Sequence, residues 1–183
     1  MGLAGSGKST QGQILAKFRG GVWLSAGQVL RDTPNEEIHE IQRRGELVDD
    51  SLTIPLMAEA IKGVMAEGKD IVLDGYPRTV LQAEWVRDHI ADQIEAVVRI
   101  VVSKDELFRR LMARGRADDA SREAIEERFR VVEQNIYTVC KTLTEKNVKI
   151  LDVDGMGTVE EVAWRINDAL AVAKEKWSVE NNV

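Results

Sequence analysis

Residues 2–11 read GLAGSGKSTQ and match the pattern G-x-x-x-x-G-K-[ST] at every defined position. Glycines let the backbone curl with its N–H groups pointing inward, and a helix starting at the lysine adds the positive end of its dipole. The lysine can reach the β- and γ-phosphates, and a following hydroxyl can bind Mg²⁺. A flexible glycine-rich terminus is the alternative, but a helical pattern follows. The stretch therefore predicts a site for a nucleoside triphosphate with Mg²⁺, formed by Gly5, Ser6, Gly7, Lys8, Ser9 and Thr10.

A loop of this kind normally connects a central strand of a sheet to a helix, yet only Met1 precedes Gly2. Without that strand, neighbouring strands would lack hydrogen-bonding partners and the core would contain an apolar gap. The cost would exceed the usual stability of a domain, about 5–15 kcal/mol. We therefore expect that the first central strand is missing from this sequence. A truncated sequence, a wrongly placed start and a genuine variant that tolerates the gap are the open explanations.

Short apolar runs rich in β-branched residues alternate with longer segments of helical periodicity. The runs cover 22–24, 71–73, 97–102 and 148–153, and the helical segments lie at about 8–19, 36–44, 51–67, 80–91, 104–114, 122–146 and 159–175. Nearly continuous hydrophobicity is typical of strands in a parallel sheet that is covered on both faces. The alternation predicts an α/β fold with a parallel β-sheet core flanked by helices, in a single domain of 183 residues.

The composition narrows the class of partners. The net charge of −6 argues against a broad surface for nucleic acids or anionic membranes. The single cysteine, Cys140, excludes an internal disulfide framework and a multi-cysteine zinc site. The sequence has no long apolar run and no signal-peptide pattern, so we expect no membrane partner and a cytoplasmic location.

The segment 71–79, IVLDGYPRT, places an acidic and a basic residue directly after an apolar run. Asp74 stands where a carboxylate can hold Mg²⁺ through water, although a turn residue at a strand end is the alternative. Arg78 follows at the carboxyl end of the strand, where ligands bind in folds of this kind. Guanidinium groups suit phosphoryl oxygens because they donate paired hydrogen bonds, while a solvated helix face is the alternative for any single arginine. The further candidate arginines are Arg31, Arg110, Arg114, Arg116 and Arg128.

Five motifs occur in a fixed order: G-x-x-G-S-G-K-x-T-Q at 2–11, L-S-x-G-x-x-L-R at 24–31, G-x-L-V at 45–48, D-G-[FY]-P-R-T-x-x-Q at 74–82 and R-x-D-D at 116–119. With these motifs the sequence resembles the adenylate kinases, within the nucleoside monophosphate kinases, along nearly the whole chain. The resemblance implies one P-loop kinase domain over 1–183, with a helical monophosphate-binding lobe near 32–61 and a short lid near 112–121. The implied reaction is reversible transfer of the terminal phosphoryl group of ATP to AMP, giving two ADP. The resemblance further implies that the protein uses Mg²⁺, binds no zinc and is a monomer.

The resemblance also implies roles for individual residues. ATP would be bound by residues 5–10, Arg110, Arg114 and the carbonyl of Gly157, and Mg²⁺ by Ser9 and, through water, by Asp74. The residues implied for AMP are Ala26, Arg31, Glu46, Leu47, Val48, Gly75, Tyr76, Pro77, Arg78, Gln82, Arg116 and Arg128. Those implied to stabilise the group in transfer are Lys8, Arg78, Arg116 and Arg128.

The residues at two positions favour different acceptor bases. Adenylate kinases usually carry threonine in L-S-T-G where this chain has Ala26, and L-S-A-G is common in UMP/CMP kinases. Gln82 is the adenylate-type residue, since UMP/CMP kinases tend to have asparagine there. AMP is the expected acceptor, with UMP/CMP kinase as the alternative. A non-catalytic nucleotide-binding remnant is the alternative from another class, whereas a regulatory GTPase would need an N-K-x-D string, which does not occur.

Overall fold

Helices and strands alternate along the chain in the computed structural model, which describes residues 1–44, 46–114 and 122–180. The strands are β1 (Val22–Ser25), β2 (Ile71–Asp74), β3 (Val97–Val101) and β4 (Ile150–Asp154). The helices are α1 (Lys8–Arg19), α2 (Ala26–Asp32), α3 (Glu36–Arg43), α4 (Asp50–Ala66), α5 (Val80–His89), α6 (Lys104–Arg114), α7 (Arg122–Thr144) and α8 (Val159–Glu180). The predicted α/β class is therefore confirmed.

The strands run parallel, as the sequence predicts. β1 pairs with β2 along its whole length, beginning with Val22 opposite Ile71, and β3 pairs with β4 in the same manner. Within the described residues, the strand hydrogen bonds form these two pairs. Met1 lies beside β3, where its carbonyl oxygen accepts a hydrogen bond from the Ile100 N–H at 2.9 Å. The residue before the glycine loop thus lies along a strand, and the expected strand ahead of it stays a prediction.

Helices pack on both pairs of strands, which explains why the strands are largely apolar. The cluster against β1 and β2 draws its buried side chains from α4, α5 and α7: Met57, Ile61, Ala83, Val86, Val139 and Leu143. The cluster against β3 and β4 draws them from these strands and from α8: Ile100, Val153, Val162, Ile166 and Leu170. In the described part of the chain, no helix combines the length and apolarity needed to cross a lipid bilayer.

The helices differ from the sequence prediction by more than two residues at two places. The sequence does not predict α2, because a helix of 7 residues is too short to show a clear periodic pattern. Helix α8 continues to Glu180, beyond the predicted end at 175.

The segment 32–61 contains α3 and most of α4, which agrees with its predicted helical character. Leu30, Ile38 and Val48 form a small apolar cluster there, separate from the clusters on the strands. The division into a lobe and a lid stays a prediction. Of the predicted lid at 112–121, the positions from 115 onward lie outside the described residues.

Candidate active site

The loop before α1 has the backbone geometry that its glycines predict. Gly5 and Gly7 have φ of 83° and 87°, in the left-handed region that costs other residues free energy. A Cβ at Gly5 would lie 3.3 Å from the Cγ of Leu111, so α6 packs directly against the loop. Gly7 precedes α1, whose first turn is not capped by any described side chain. The N–H groups of that turn therefore point to a position suited to an anion.

The side chains of the loop are arranged around the same position. Lys8 folds back over the loop, and its Nζ donates a hydrogen bond to the carbonyl of Leu3 at 3.4 Å. Ser6 is 3 % exposed, and its hydroxyl finds no hydrogen-bond partner among the described residues. Buried polar groups are rarely left unpaired, so this hydroxyl suits a loop that is completed by a ligand. Ser9 and Thr10 are exposed in the first turn of α1.

Arg110 joins the loop to the segment that follows β4. Its guanidinium donates to the carbonyl of Gly5 at 3.4 Å and to the carbonyl of Gly155 at 3.1 Å, while its Nε donates to Glu106 at 2.7 Å. Gly157 lies two residues further on, with a positive φ of 97°. The structure thus brings together the glycine loop, Arg110 and the segment with Gly157, all predicted for the donor nucleotide.

The loop after β2 places a carboxylate beside a guanidinium. Asp74 is 8 % exposed at the end of the strand. Gly75 has a φ of 72°, and a Cβ there would lie 2.6 Å from a guanidinium nitrogen of Arg78, so this guanidinium folds over the glycine. The surrounding protein lowers the pKa of Arg78 by desolvation, and the charge of Asp74 opposes that effect. Arginine nevertheless keeps its charge in proteins, so the loop holds a cation ready for a phosphate.

Gln82, 3 % exposed, is held at both ends of its amide. Its Oε1 accepts a hydrogen bond from the Arg78 N–H at 2.8 Å, and its Nε2 donates to Asp50 at 2.7 Å. Asp50 also accepts a hydrogen bond from the Thr79 hydroxyl at 2.7 Å. Sequence reasoning missed Asp50. The available signal was the pair of aspartates at the start of α4. Asp49 caps the helix by accepting a hydrogen bond from the Ser51 N–H, so Asp50 is not needed as the cap.

The other residues predicted for AMP lie in different surroundings. Ala26 and Val48 are buried, and Ala26 belongs to the same apolar cluster as the buried Tyr76. Pro77 is buried as well. Leu47 is 55 % exposed, and Glu46 forms an exposed ion pair with Arg44. The structure therefore does not gather Leu47 and Glu46 into a pocket.

The remaining arginines are placed only in part. Arg31 lies on α2, where its guanidinium donates to Oε1 of Gln28 at 2.8 Å. Arg116 lies outside the described residues, as do the side chains of Arg114 and Arg128. The predicted roles of these three arginines therefore stay predictions.

The oxygen donors at the site suit Mg²⁺. Asp74 supplies a buried carboxylate at the end of β2, and Ser9 supplies a hydroxyl in the first turn of α1. Magnesium commonly uses one or two protein ligands and completes its shell with substrate phosphates and water. Among the described residues, no cluster of three or more His, Cys, Asp or Glu side chains could hold a metal ion. The donors present fit a magnesium ion that arrives with a nucleotide.

Comparison with known proteins identifies the family. The profile of the adenylate kinase family matches residues 1–148. Adenylate kinase from Mycobacterium sp. (strain MCS) is 36 % identical over 179 residues, which cover 93 % of this chain and 96 % of the relative. Adenylate kinase from Thermus thermophilus is 34 % identical over 185 residues, covering 94 % of this chain and 95 % of the relative.

A third relative, adenylate kinase from Parasynechococcus marenigrum (strain WH8102), is 33 % identical over 180 residues, covering 93 % of this chain and 96 % of the relative. These matches extend over nearly the whole of both chains, and the residues that the family profile matches include the glycine loop and the loop after β2. The resemblance that the five motifs indicate is confirmed, and the chain belongs to the adenylate kinase family, a family of phosphotransferases that act on nucleoside monophosphates.

Proposed function

We propose that the chain catalyses the reversible transfer of the terminal phosphoryl group of ATP to AMP, giving two ADP. One observation carries the proposal: the residues predicted for the two nucleotides follow the carboxyl ends of the parallel strands. The helix with Arg31 follows β1, Asp74 ends β2 and the loop with Arg78 follows it, and the segment with Gly157 follows β4. Ligands bind at these ends of parallel strands in α/β folds. The contacts of Arg110 link the segment after β4 to the glycine loop.

AMP is the proposed acceptor because the buried Gln82, in the first turn of α5, accepts a hydrogen bond from the backbone N–H of Arg78 in the loop just before that helix. From these positions an amide and a guanidinium can contact the base and the phosphate of the same nucleotide. The relatives named adenylate kinase support this choice. Ala26 favours the alternative acceptors UMP and CMP, because it lacks the hydroxyl that adenylate kinases usually carry at this position.

The protein contributes mainly position and charge to this reaction. Phosphoryl transfer leaves little covalent chemistry for side chains, so no general base is needed. The N–H groups of the glycine loop and Lys8 bind the phosphates of the donor. Arg78, together with Arg31, binds the acceptor phosphate and stabilises charge on the group in transfer, as do Arg116 and Arg128. Ser9 and, through water, Asp74 would hold Mg²⁺, which would supply positive charge to the phosphates.

Closure over the substrates completes the proposal. The lobe at 32–61 and the lid at 112–121 would cover the bound nucleotides and keep water from the terminal phosphate of ATP. We further propose that the protein acts as a monomer in the cytoplasm, with small nucleotides as its partners.

Coupled measurement of ADP formation with MgATP and each of AMP, UMP, CMP and dTMP tests the proposal. We expect AMP to be the preferred acceptor. Preference for UMP or CMP would establish the alternative kinase. Binding of ATP without ADP formation from any acceptor would establish a catalytically inactive remnant.

Arg78→Ala tests the site itself. Loss of a charge-stabilising contact typically costs about 10²–10³ in rate, so kcat should fall by this factor while the KM for ATP stays within about threefold. Arg130→Ala is the matched control, because Arg130 is an exposed arginine of α7 that pairs with Glu127 at 2.6 Å. Turnover of Arg78→Ala close to that of Arg130→Ala would contradict the assignment.

A further inference from the structure

We propose that Asp50 sets the hydrogen-bonding direction of the Gln82 amide and thereby selects which edge of a nucleobase the acceptor site accepts. The inference rests on the proposed function, in which Gln82 contacts the acceptor base. Asp50 acts through Gln82 and is therefore a positioning residue.

The amide of Gln82 is hydrogen-bonded to two neighbours, of which one is a donor and the other an acceptor. On one side the backbone N–H of Arg78, which can only donate, lies 2.8 Å from Oε1. On the other side the carboxylate of Asp50, which can only accept when ionised, lies 2.7 Å from Nε2. Rotation of the amide by 180° would set an N–H against an N–H and an oxygen against a carboxylate. A free glutamine can present either direction, but this pair of neighbours permits one.

The carboxylate itself is held in place. The hydroxyl of Thr79 donates to its second oxygen at 2.7 Å, and the same hydroxyl accepts from the backbone N–H of Gln82 at 3.2 Å. Both carboxylate oxygens of Asp50 therefore accept hydrogen bonds, and these bonds connect the start of α5 to the start of α4. Gln82 is 3 % exposed, so water cannot readily compensate a mismatched amide.

Beyond these two hydrogen bonds the amide has one further N–H and one further oxygen lone pair, which the proposed function assigns to the acceptor base. Adenine offers a donor at N6 next to an acceptor at N1, and cytosine offers the same order at N4 and N3. Hypoxanthine and uracil have the same ring sizes as adenine and cytosine but the reverse order, an acceptor next to an N–H donor. A glutamine with a single direction can pair with both hydrogen-bonding groups of only one class, and in an adenylate kinase that class includes adenine. The acceptor site should therefore prefer AMP to IMP, and CMP to UMP.

The sharp test is Asp50→Asn. Asparagine has nearly the same shape as aspartate, but it can offer an oxygen or an N–H to Gln82, so only the Arg78 N–H still opposes rotation of the amide. We expect the kcat/KM ratios of AMP to IMP and of CMP to UMP to fall by about tenfold, which corresponds to one unsatisfied buried group. The ratio of AMP to CMP should stay within about threefold, because these bases present the same order of groups.

Asp49→Asn is the matched control. It removes the same charge one residue away and keeps a good helix cap, since asparagine caps helices as well as aspartate does. All base ratios should match those of the wild type in this variant. A general loss of stability would lower the rates with every acceptor together and would leave the ratios unchanged.

The wild-type protein provides a second measurement that needs no variant. It should use AMP better than IMP, and CMP better than UMP, by about tenfold or more. Equal use of AMP and IMP and of CMP and UMP by the wild type would overturn the inference. Unchanged ratios in an Asp50→Asn variant that folds would overturn it as well. In both cases, phosphorylation of AMP would leave the proposed function intact. Absence of AMP phosphorylation by the wild type would refute the proposed function, and this inference with it.

Discussion

Two glycines have nearly the same backbone conformation but different surroundings. Substituting each by alanine therefore separates the effect of backbone strain on stability from the effect on the candidate active site. Gly75 has a φ of 72° and Gly68 a φ of 67°. Among the described residues, a Cβ at Gly68 would meet no atom within 4 Å, whereas a Cβ at Gly75 would lie 2.6 Å from a guanidinium nitrogen of Arg78. Both positions therefore disfavour alanine, but only the second change displaces a predicted catalytic group.

The expected magnitudes follow from these contacts. An L-residue in the left-handed region costs about 1–2 kcal/mol, so Gly68→Ala and Gly75→Ala should both lose about this much unfolding free energy. For a chain of this length, the loss lowers Tm by about 2–8 °C. The guanidinium of Arg78 lies at the end of a flexible side chain and can move away at little further cost. A shift of about 1 Å in a catalytic group can nevertheless cost about 10² in rate, so kcat should fall by about ten- to a hundredfold in Gly75→Ala alone.

Thermal unfolding and coupled ADP formation, measured on both variants, test this reasoning. Gly68→Ala should lose stability and keep the kcat of the wild type. Equal kcat in the two variants would refute the argument that the space above Gly75 positions Arg78. A Gly75→Ala variant as stable as the wild type would refute the argument from backbone strain.

Two further predictions concern α6. Leu111→Ala should lower the unfolding free energy by about 2–5 kcal/mol in urea titrations, because Leu111 is 0 % exposed, and it should weaken ATP binding, because Leu111 packs against Gly5. Hydrogen bonds from Arg109 and Arg110 lower the pKa of Glu106 from 4.5 to about 2. The carboxylate therefore stabilises the fold fully above pH 4.5, and this contribution is lost as the pH falls towards 2. Stability of Glu106→Gln should consequently fall less steeply over this range, and parallel acid-unfolding curves would contradict the prediction.

Features with a local signal could be predicted without the tertiary structure. The glycine loop is a run of neighbouring residues whose backbone needs are visible in their type, and Gly5 and Gly7 have the positive φ angles that the pattern requires. The strands appear as apolar runs because helices pack against them, and runs rich in Val, Ile and Leu are visible in the sequence itself. Helix α2 could not be detected because its 7 residues make slightly less than two turns.

Contacts between polar residues far apart in the chain had no such signal. Asp50 reaches Gln82 across 32 positions, and Arg110 reaches Gly155 across 45. The order of residues says that an aspartate follows a helix cap and that an arginine lies on a helix, but not which partner each one meets. That choice depends on how α4 and α5 pack beside β2, and on how α6 lies against the glycine loop. The local pattern therefore identified a nucleotide-binding kinase, whereas the direction of the Gln82 amide, which we infer to select the base, depends on packing, because a hydrogen bond requires two distant groups to meet in both position and direction.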